Sequence, residues 1–597
     1  MVKVTGIQKN INYKLAIKCI IILILSCMMI SIASSYSDNY KNMIVNLVNL
    51  LMITILVRKI ILYNYCNKKM YLVMILLLMF SFSPFIYNDF YYFDDLWSFS
   101  RVEYNKIGIA AQRPFIDLYI NMAYPLSIEY TSVFRTITII VQSLYAISIY
   151  TFFSNVLKSK AISIFLSIVF SCSVLVVDII GYMAIFPVVL SNIYTLYSYI
   201  VFKDGYEKCN IRYHCYLYSM IFFIAACMYY PIITPMFFVY ALIDRYFERL
   251  YSAKYYIHLF GEYVISTAVY LSVTRALLYL FGVSASSRAV IIDTYDGFIA
   301  KINWFIMDVI PTCFTHIFAL FTGNTFLELN CMFYTVKISN HPFRYVIMTI
   351  IMTLILYYFY KLYKMKNYIL ILYSLVIIPM TFMYWLILSE STIITYYLLA
   401  LNYLLILMMF LGLYSYLKSK NKVLIILSLL ILASSNIYAG SFWVEYNQYS
   451  YNFIKSTIAS NINSYTKRIH IYGKLNPYQI NSYAIMATNL ALKDLGIEEN
   501  KINVTASDDE KIITGLTHEE GEELCNKLDS DSLKIFNKYY QRNTDYAIYT
   551  MRENIEGEYN QEELTKVLIL GGALPDKNSN DVIIVDLNKG FHQLYKF

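Results

Sequence analysis

The stretch "NDFYYFDDLWSFSRVEYNKIGIAAQRPF", residues 88–115, holds the side chains best suited to chemistry. Asp94 and Asp95 are adjacent, Trp97 follows, and Arg101 and Arg113 lie downstream. Two neighbouring acids repel, which raises one pKa and leaves the other ionised. The ionised one can take a proton from an attacking hydroxyl. Paired acids also cap helices and solvate loops, so the pair alone leaves both uses open. Arg113 and Pro114 open a second feature. Phe115, Leu118, Tyr119 and Met122 fall at i, i+3, i+4 and i+7, with Asp117 and Asn121 opposite. That spacing predicts an amphipathic helix lying in a membrane interface. Pro114 suits its first turn, and Arg113 then meets any phosphate at the positive end of the helix, or snorkels as an interfacial arginine.

The elements that must position these residues are apolar. Of the 597 residues, 58% are hydrophobic and 15% are charged. A soluble chain carries nearer a quarter charged residues. Runs such as "YLVMILLLMFSFSPFIY" and "KVLIILSLLILASSNIY" read as transmembrane helices, in which the backbone satisfies its own hydrogen bonds. About thirteen spans are predicted, near 15–35, 43–63, 70–88, 131–153, 161–180, 184–202, 214–230, 232–248, 257–281, 343–361, 368–388, 393–416 and 422–440. The pair over 214–248 is short and interrupted by Pro231 and Pro235. The first run lacks a clean cleavage site and reads as a retained anchor. The fold class expected is therefore an all-α polytopic membrane body over 1–440.

Lys and Arg crowd one set of connections, such as Arg58, Lys59, Lys68 and Lys69, then Lys158 and Lys160, then Lys361, Lys364 and Lys366. By the positive-inside rule these are cytoplasmic, along with the N-terminus. The long loops 89–130 and 282–342 then lie outside, as does 441–597. The +8 net charge belongs to the inside loops, so nucleic acid is not an expected partner. The tail mixes strand-like "RIHIY" and "DVIIVDL" with helix-like "NSYAIMATNLALKDLG", and predicts a small soluble α/β domain over 441–597. It has one cysteine, Cys525, so no disulfide within it is expected.

The loop "DDLWSFSRVEYNKIGIAAQRPFIDLYIN" resembles the phage-type serotype-conversion O-antigen glucosyltransferases, the GtrII-like membrane family of the GT-C superfamily. Those proteins carry a paired Asp, a loop of about twenty residues, and a Gly-Arg-Pro opening an amphipathic helix. Here Gln112 stands at the glycine of that element, and Arg101 follows the acids later than in the family. Tyr230-Pro231 stands where the family has a Tyr-Gln pair. The resemblance also covers the layout of many spans followed by an outer C-terminal segment. It implies a GT-C-like inverting transferase in the cytoplasmic membrane of a bacterium. The donor would be a polyprenyl-phosphate sugar, a glucose or another hexose. The acceptor would be a surface glycan, O-antigen or another polysaccharide. Asp94 is then the general base and Asp95 positions or shares the proton, while Arg113 holds the leaving phosphate.

Other residues expected on the same side are cations for the donor phosphate: Arg275 within a span, and Lys337, His341 and Arg344 in "KISNHPFR". Arg135 is a further cation, and Asp178 an acid placed to pair with one of them. Trp97 and Trp304 offer faces for sugar stacking, though tryptophans also form the aromatic belt of any membrane protein. Cys313 and Cys331 fall in the second outer loop, either as a disulfide or as two thiols. No P-loop, GxGxxG or HExxH occurs, and two carboxylates alone make a thin metal site, so no cofactor is expected. A transporter or flippase of lipid-linked sugars is the alternative from another class. It calls for polar groups at mid-membrane, often at broken helices. A surface-polysaccharide polymerase is the nearer alternative, for which Arg-rich outer loops are expected.

Overall fold

The computed structural model describes residues 40–89, 107–117, 119, 130–183, 186–207, 213–248, 253–284, 295–322, 343–382, 395–439, 444–463, 466, 468–472, 481–497, 502–507, 513–543, 548–551 and 582–586. They form two compact units. One comprises the residues up to Gly440 except 88–89 and 130–131, and the other holds those four with the residues from Ser441 onward.

The first unit is helical. Its helices are α1 (Tyr40–Tyr63), α2 (Lys68–Ser81), the single turn α3 (Ile107–Ala110), α4 (Thr131–Leu157), α5 (Lys160–Ser171) and α6 (Val177–Gly181). They continue with α7 (Phe186–Glu207), α8 (Tyr213–Tyr229), α9 (Met236–Glu248) and α10 (Ala253–Phe281). Then come α11 (Tyr295–Trp304), α12 (Ile310–Thr322), α13 (Phe343–Lys364), α14 (Tyr368–Met380), α15 (Leu399–Leu417) and α16 (Asn421–Tyr438). Among the described residues, seven helical segments are long and apolar enough to cross a membrane, and four more are apolar but shorter. This is the make-up of a multi-helix membrane protein. The first predicted span lies outside the described residues.

Contacts define two ends of this unit. Tyr246 Oη donates to Leu411 O at 3.1 Å, and Lys361 Nζ donates to Leu411 O and Gly412 O at 3.3 Å. The C-terminal ends of α9, α13 and α15 therefore meet at one end, rich in Lys and Arg. That basic end is closed by buried ions. Asp244 accepts from Lys203 Nζ at 2.5 Å and from Tyr199 Oη at 2.6 Å. Arg245 reaches Glu207 at 3.2 Å and lies 3.8 Å over the Tyr255 ring. Asp244 and Arg245 are both 0% exposed.

One predicted loop is partly helical. Residues 282–342 are expected as a long outer loop without a span, yet α11 and α12 run through it, joined by one π-helical turn at Phe305–Val309. Gly297–Phe321 is 25 residues long and apolar enough to cross. Its contacts do not carry it across. Phe305 packs on Phe382, His316 meets Asn402 at 3.2 Å, and Leu320 O accepts from Ser434 Oγ at 2.6 Å. Each partner stands roughly 20 Å along its own helix from the basic end, at 1.5 Å per residue. The segment therefore lies across the far ends of α14, α15 and α16. Its mean hydropathy equals that of the segments at Thr131–Leu157 and Ala253–Phe281, so the sequence reading passed over a helix that its apolar content already marked.

A second departure is the break between α5 and α6. Ser163, Ser167 and Ser171 each bond back to the carbonyl four residues earlier, at 2.7, 2.6 and 2.5 Å, an arrangement that bends helices. The chain then unwinds, and three successive carbonyls need outside partners. Phe170 O accepts from Tyr403 Oη at 2.7 Å, and Ser171 O from Gln142 Nε2 at 3.2 Å. Cys172 O accepts from Ser81 Oγ at 2.8 Å and Ser435 Oγ at 2.9 Å.

The second unit contains four described helices, α17 (Glu445–Asn461), Asn481–Asp494, His518–Lys527 and Ser530–Tyr539, and a six-stranded mixed sheet in the order β4-β5-β3-β2-β1-β6. The strands are β1 (Arg468–Tyr472), β2 (Asn503–Ser507), β3 (Ile513–Thr517), β4 (Tyr540–Asn543), β5 (Ile548–Met551) and β6 (Val582–Asp586). β1 pairs in parallel with both β2 and β6, and β1 reaches β2 through the helix Asn481–Asp494. Ile469, Ile471, Val504, Ile583 and Val585 are buried, alternating as strands with a packed face require.

Candidate functional site

The described part of the first loop is built around Arg113. The turn α3 ends with Gln112 N–H donating to Ile109 O at 2.9 Å and Arg113 N–H donating to Gly108 O at 2.5 Å. This is a Schellman ending, which needs a left-handed residue at the position of Gln112. Gln112 has φ 59°, a backbone conformation that costs a residue other than glycine about 1–2 kcal/mol. Glycine would enter that region without the penalty, which Gln112 bears here.

Four other elements hold the loop. Tyr270 Oη of α10 donates to Gln112 O at 2.8 Å. Phe115 N–H donates to Met228 O at 3.3 Å, at the end of α8, and Phe115 O accepts from Asn49 Nδ2 of α1 at 3.3 Å. Tyr229 Oη donates in turn to Asn49 Oδ1. Tyr119 packs against Phe186 of α7, ring centroids 5.0 Å apart. Held this way, the Arg113 guanidinium lies 4.0 Å over the ring of Tyr230, where the chain leaves α8 for a 3-10 turn at Pro231–Ile233. The stack orients a planar, permanently charged fork. Tyr230 follows from the chain's own break: Pro231 has no N–H to continue α8, so the residue before it turns extended.

The helix expected over 114–124 begins later and is not surface-lying over its described residues. Pro114 and Phe115 form a turn, Asp117 and Tyr119 are helical, and Phe115, Ile116 and Tyr119 are buried. Asp117, expected on the polar face, is only 7% exposed and accepts from Gly108 N–H at 2.6 Å. The physical reason is that the amides of α3 claim the carboxylate and draw the segment into the bundle. Gly108 permits this: a Cβ there would sit 2.5 Å from Arg113 O and 2.7 Å from Asp117 Oδ1. Leu118, Asn121 and Met122 lie outside the described residues.

Burial pushes the Asp117 carboxyl up to about 8, against the lowering effect of the Gly108 and Ile109 amides. The folded state thus keeps a proton that the unfolded chain releases near pH 4. Its contribution to stability is full below that value and is lost as pH rises to about 8. Unfolding temperatures of the solubilised protein should fall over this window. Asp117→Asn, which imitates the neutral acid, should lessen that fall; an unchanged profile would rule the assignment out.

The other predicted residues are more scattered. Asp94, Asp95, Trp97, Arg101, Lys337, His341 and Cys331 lie outside the described residues, as does the side chain of Arg344. Arg275 is exposed on α10, one residue past the buried Thr274 and turned away from the face that carries Tyr270. Trp304 is half-buried, with the Lys301 ammonium 4.3 Å over its ring and Phe382 at 5.7 Å. Cys313 is a buried thiol on α12. Arg135 is fully buried, its Nε donating to Gly181 O at 2.8 Å, at the end of the same short helix that carries Asp178.

Sequence reasoning missed the stack of Arg113 on Tyr230, although both residues had been singled out separately. It also missed Asp117, Asp244, Arg245 and Glu262 as buried ionisable groups, because their burial depends on elements that pack against them only in the folded chain. Among the described residues, no three His, Cys, Asp or Glu side chains gather as a metal site. Compared with known proteins, the chain matches no family model, no characterised protein and no solved structure.

Proposed function

We propose that the protein is an inverting membrane glycosyltransferase, moving a sugar from a polyprenyl-phosphate donor to a surface glycan outside the cytoplasmic membrane. The observation that carries this reading is the Arg113 guanidinium fixed over Tyr230, in a loop tied to α1, α7, α8 and α10. Such a fork suits the phosphate that gains charge as the glycosidic C–O bond breaks. Asp94 is the base for the acceptor hydroxyl, and Asp95 positions or shares its proton. Supporting the orientation, Lys158, Lys160, Lys361, Lys364 and Lys418 belong to the end opposite Arg113, as cytoplasmic residues do. The donor's lipid tail would lie among the helices, with further cations such as Arg344 available for its phosphate. In this reading 441–597 is a soluble, extracytoplasmic α/β domain that helps recognise the acceptor, and Trp97 and Trp304 are stacking faces. The span count near thirteen includes segments at 15–35 and 184–202.

The test is Asp94→Asn and Asp95→Asn in cells whose surface glycan is profiled. Loss of one sugar decoration at normal protein level is the expected result. Unchanged decoration in both variants would sink the base assignment.

A second reading, a flippase of lipid-linked sugars, is favoured by one observation: the break after Ser171, a broken helix of the kind that transporters place at mid-membrane. It predicts unflipped lipid-linked sugar accumulating on the inner leaflet when the gene is lost. The transferase reading predicts unused donor on the outer leaflet.

A further inference from the structure

The face that α10 turns to its neighbours is polar, and the face it turns away is apolar. Glu262, Ser266, Tyr270 and Thr274 recur every four residues and are buried, with His258 half-buried one step before them. Ile257, Val264, Ile265, Val269 and Val273 are exposed. Four-residue steps turn the stripe by only about 40° each, so it stays on one side over several turns. Its far end is tied to the Arg113 loop through Tyr270. At its other end the His258 ring packs on Tyr206 and Tyr216, centroids 6.0 and 5.9 Å apart.

Glu262 sits in the middle, 6% exposed. Ser219 of α8 lies beside it, and the Ser219 hydroxyl donates to Ser198 O of α7 at 3.0 Å. Glu262 Oε1 and Ser266 Oγ are buried and have no hydrogen-bond partner among the described residues. The titratable groups facing this point are Tyr216 and Cys215 from α8, Tyr206 from α7, and His258 and Tyr263 on α10 itself. No Lys or Arg pairs with Glu262 among the described residues. The Arg245 guanidinium is stacked two turns away, on Tyr255. A carboxylate ionised without a cation in so dry a place is strongly disfavoured, and the group neutralises instead. Hard cations gather six or more oxygen ligands, and this cluster brings one carboxyl and two hydroxyls.

We propose that Glu262 is an intramembrane proton-binding site. Its carboxyl carries a proton at rest, with Ser219 and Ser266 as its polar company, and exchanges that proton towards the basic end past His258. The protein thereby holds a group whose charge can change inside the helical body, separate from the anion site at Arg113.

The experiment treats the full-length solubilised protein with a hydrophobic carbodiimide and maps the adducts by peptide mass spectrometry. The reagent takes up the acid's proton as the carboxylate oxygen adds to its central carbon, so it selects protonated acids in apolar surroundings. Modification at Glu262 should be several-fold greater at pH 6 than at pH 9, because the reagent consumes the acid's own proton. His258→Phe should slow labelling without lowering its final extent. Three results would overturn the proposal. They are no adduct at Glu262 at pH 6 in protein that still elutes as a folded species, labelling equal at both pH values, or protection by sodium at constant pH and ionic strength, which would mark an alkali-cation site. All are read independently of sugar transfer.

Discussion

If the protein is the transferase proposed, Arg113→Ala should lower sugar transfer roughly 100- to 1,000-fold, the loss typical when one donor to a developing negative charge is removed. The guanidinium is fixed by its stack on Tyr230, so the charge it presents needs no reorganisation as the phosphate departs. Arg113→Lys keeps the charge and loses the planar fork, so it should recover only part of the rate. Tyr230→Phe keeps the aromatic face and should stay close to the wild type. Tyr230→Ala frees the arginine and should raise the KM for the donor as well as lowering kcat. Transfer from a synthetic polyprenyl-phosphate sugar, measured with purified protein, separates these cases. Arg113→Ala retaining more than a tenth of the activity would remove the residue from the reaction.

The largest stability effect is expected at the other end of the helical body. Asp244 is fully buried and meets Lys203, Arg245 and Tyr199 at once. Asp244→Asn leaves Lys203 and Arg245 with their charges and takes away the carboxylate that offsets them. Breaking a buried ion pair from one side costs about 3–5 kcal/mol. The variant should unfold at a clearly lower temperature and accumulate poorly in the membrane. Lys203→Met on that background should restore part of the loss, because it removes a stranded cation. An Asp244→Asn protein as stable as the wild type would mean that Glu207 and solvent suffice for both cations.

Much of the helical body was legible in composition. Apolar runs located α1, α4, α10, α13 and α15, and Pro231 with Pro235 correctly broke the 214–248 pair. Hydropathy failed where polar residues serve the inside of the bundle. A window that averages over eighteen or so residues cannot tell whether Glu262 and Ser266 face lipid or a neighbouring helix. The four-residue spacing on α10 was present in the sequence, but its meaning depended on what α8 put opposite it. The segment 295–322 was read as loop although it is as apolar as the spans that were found, and its partners Phe382, Asn402 and Ser434, which place it, are far along the chain. At the site, the types of residue were legible and their arrangement was not. Arg113 stood out as a cation, whereas the left-handed backbone at Gln112 is invisible when glycine is not there to announce it. Asp117 was assigned to water because i+4 periodicity ranks faces by polarity. It cannot see that a short preceding helix needs its amides capped.

The unwound step after Ser171 carries a mechanical consequence. Its three exposed carbonyls are claimed by side chains from α2, α4, α15 and α16. None of those helices can slide or rotate without giving up a bond in a place where water is scarce to replace it. The four are therefore stitched to a single knot and respond to force as one piece. Any large opening of the helical body must run along a seam that avoids the knot. Among the described residues, α10 has no hydrogen bond to it and leans instead on α8 and the Arg113 loop. Displacing α10 would leave all four side-chain bonds of the knot in place.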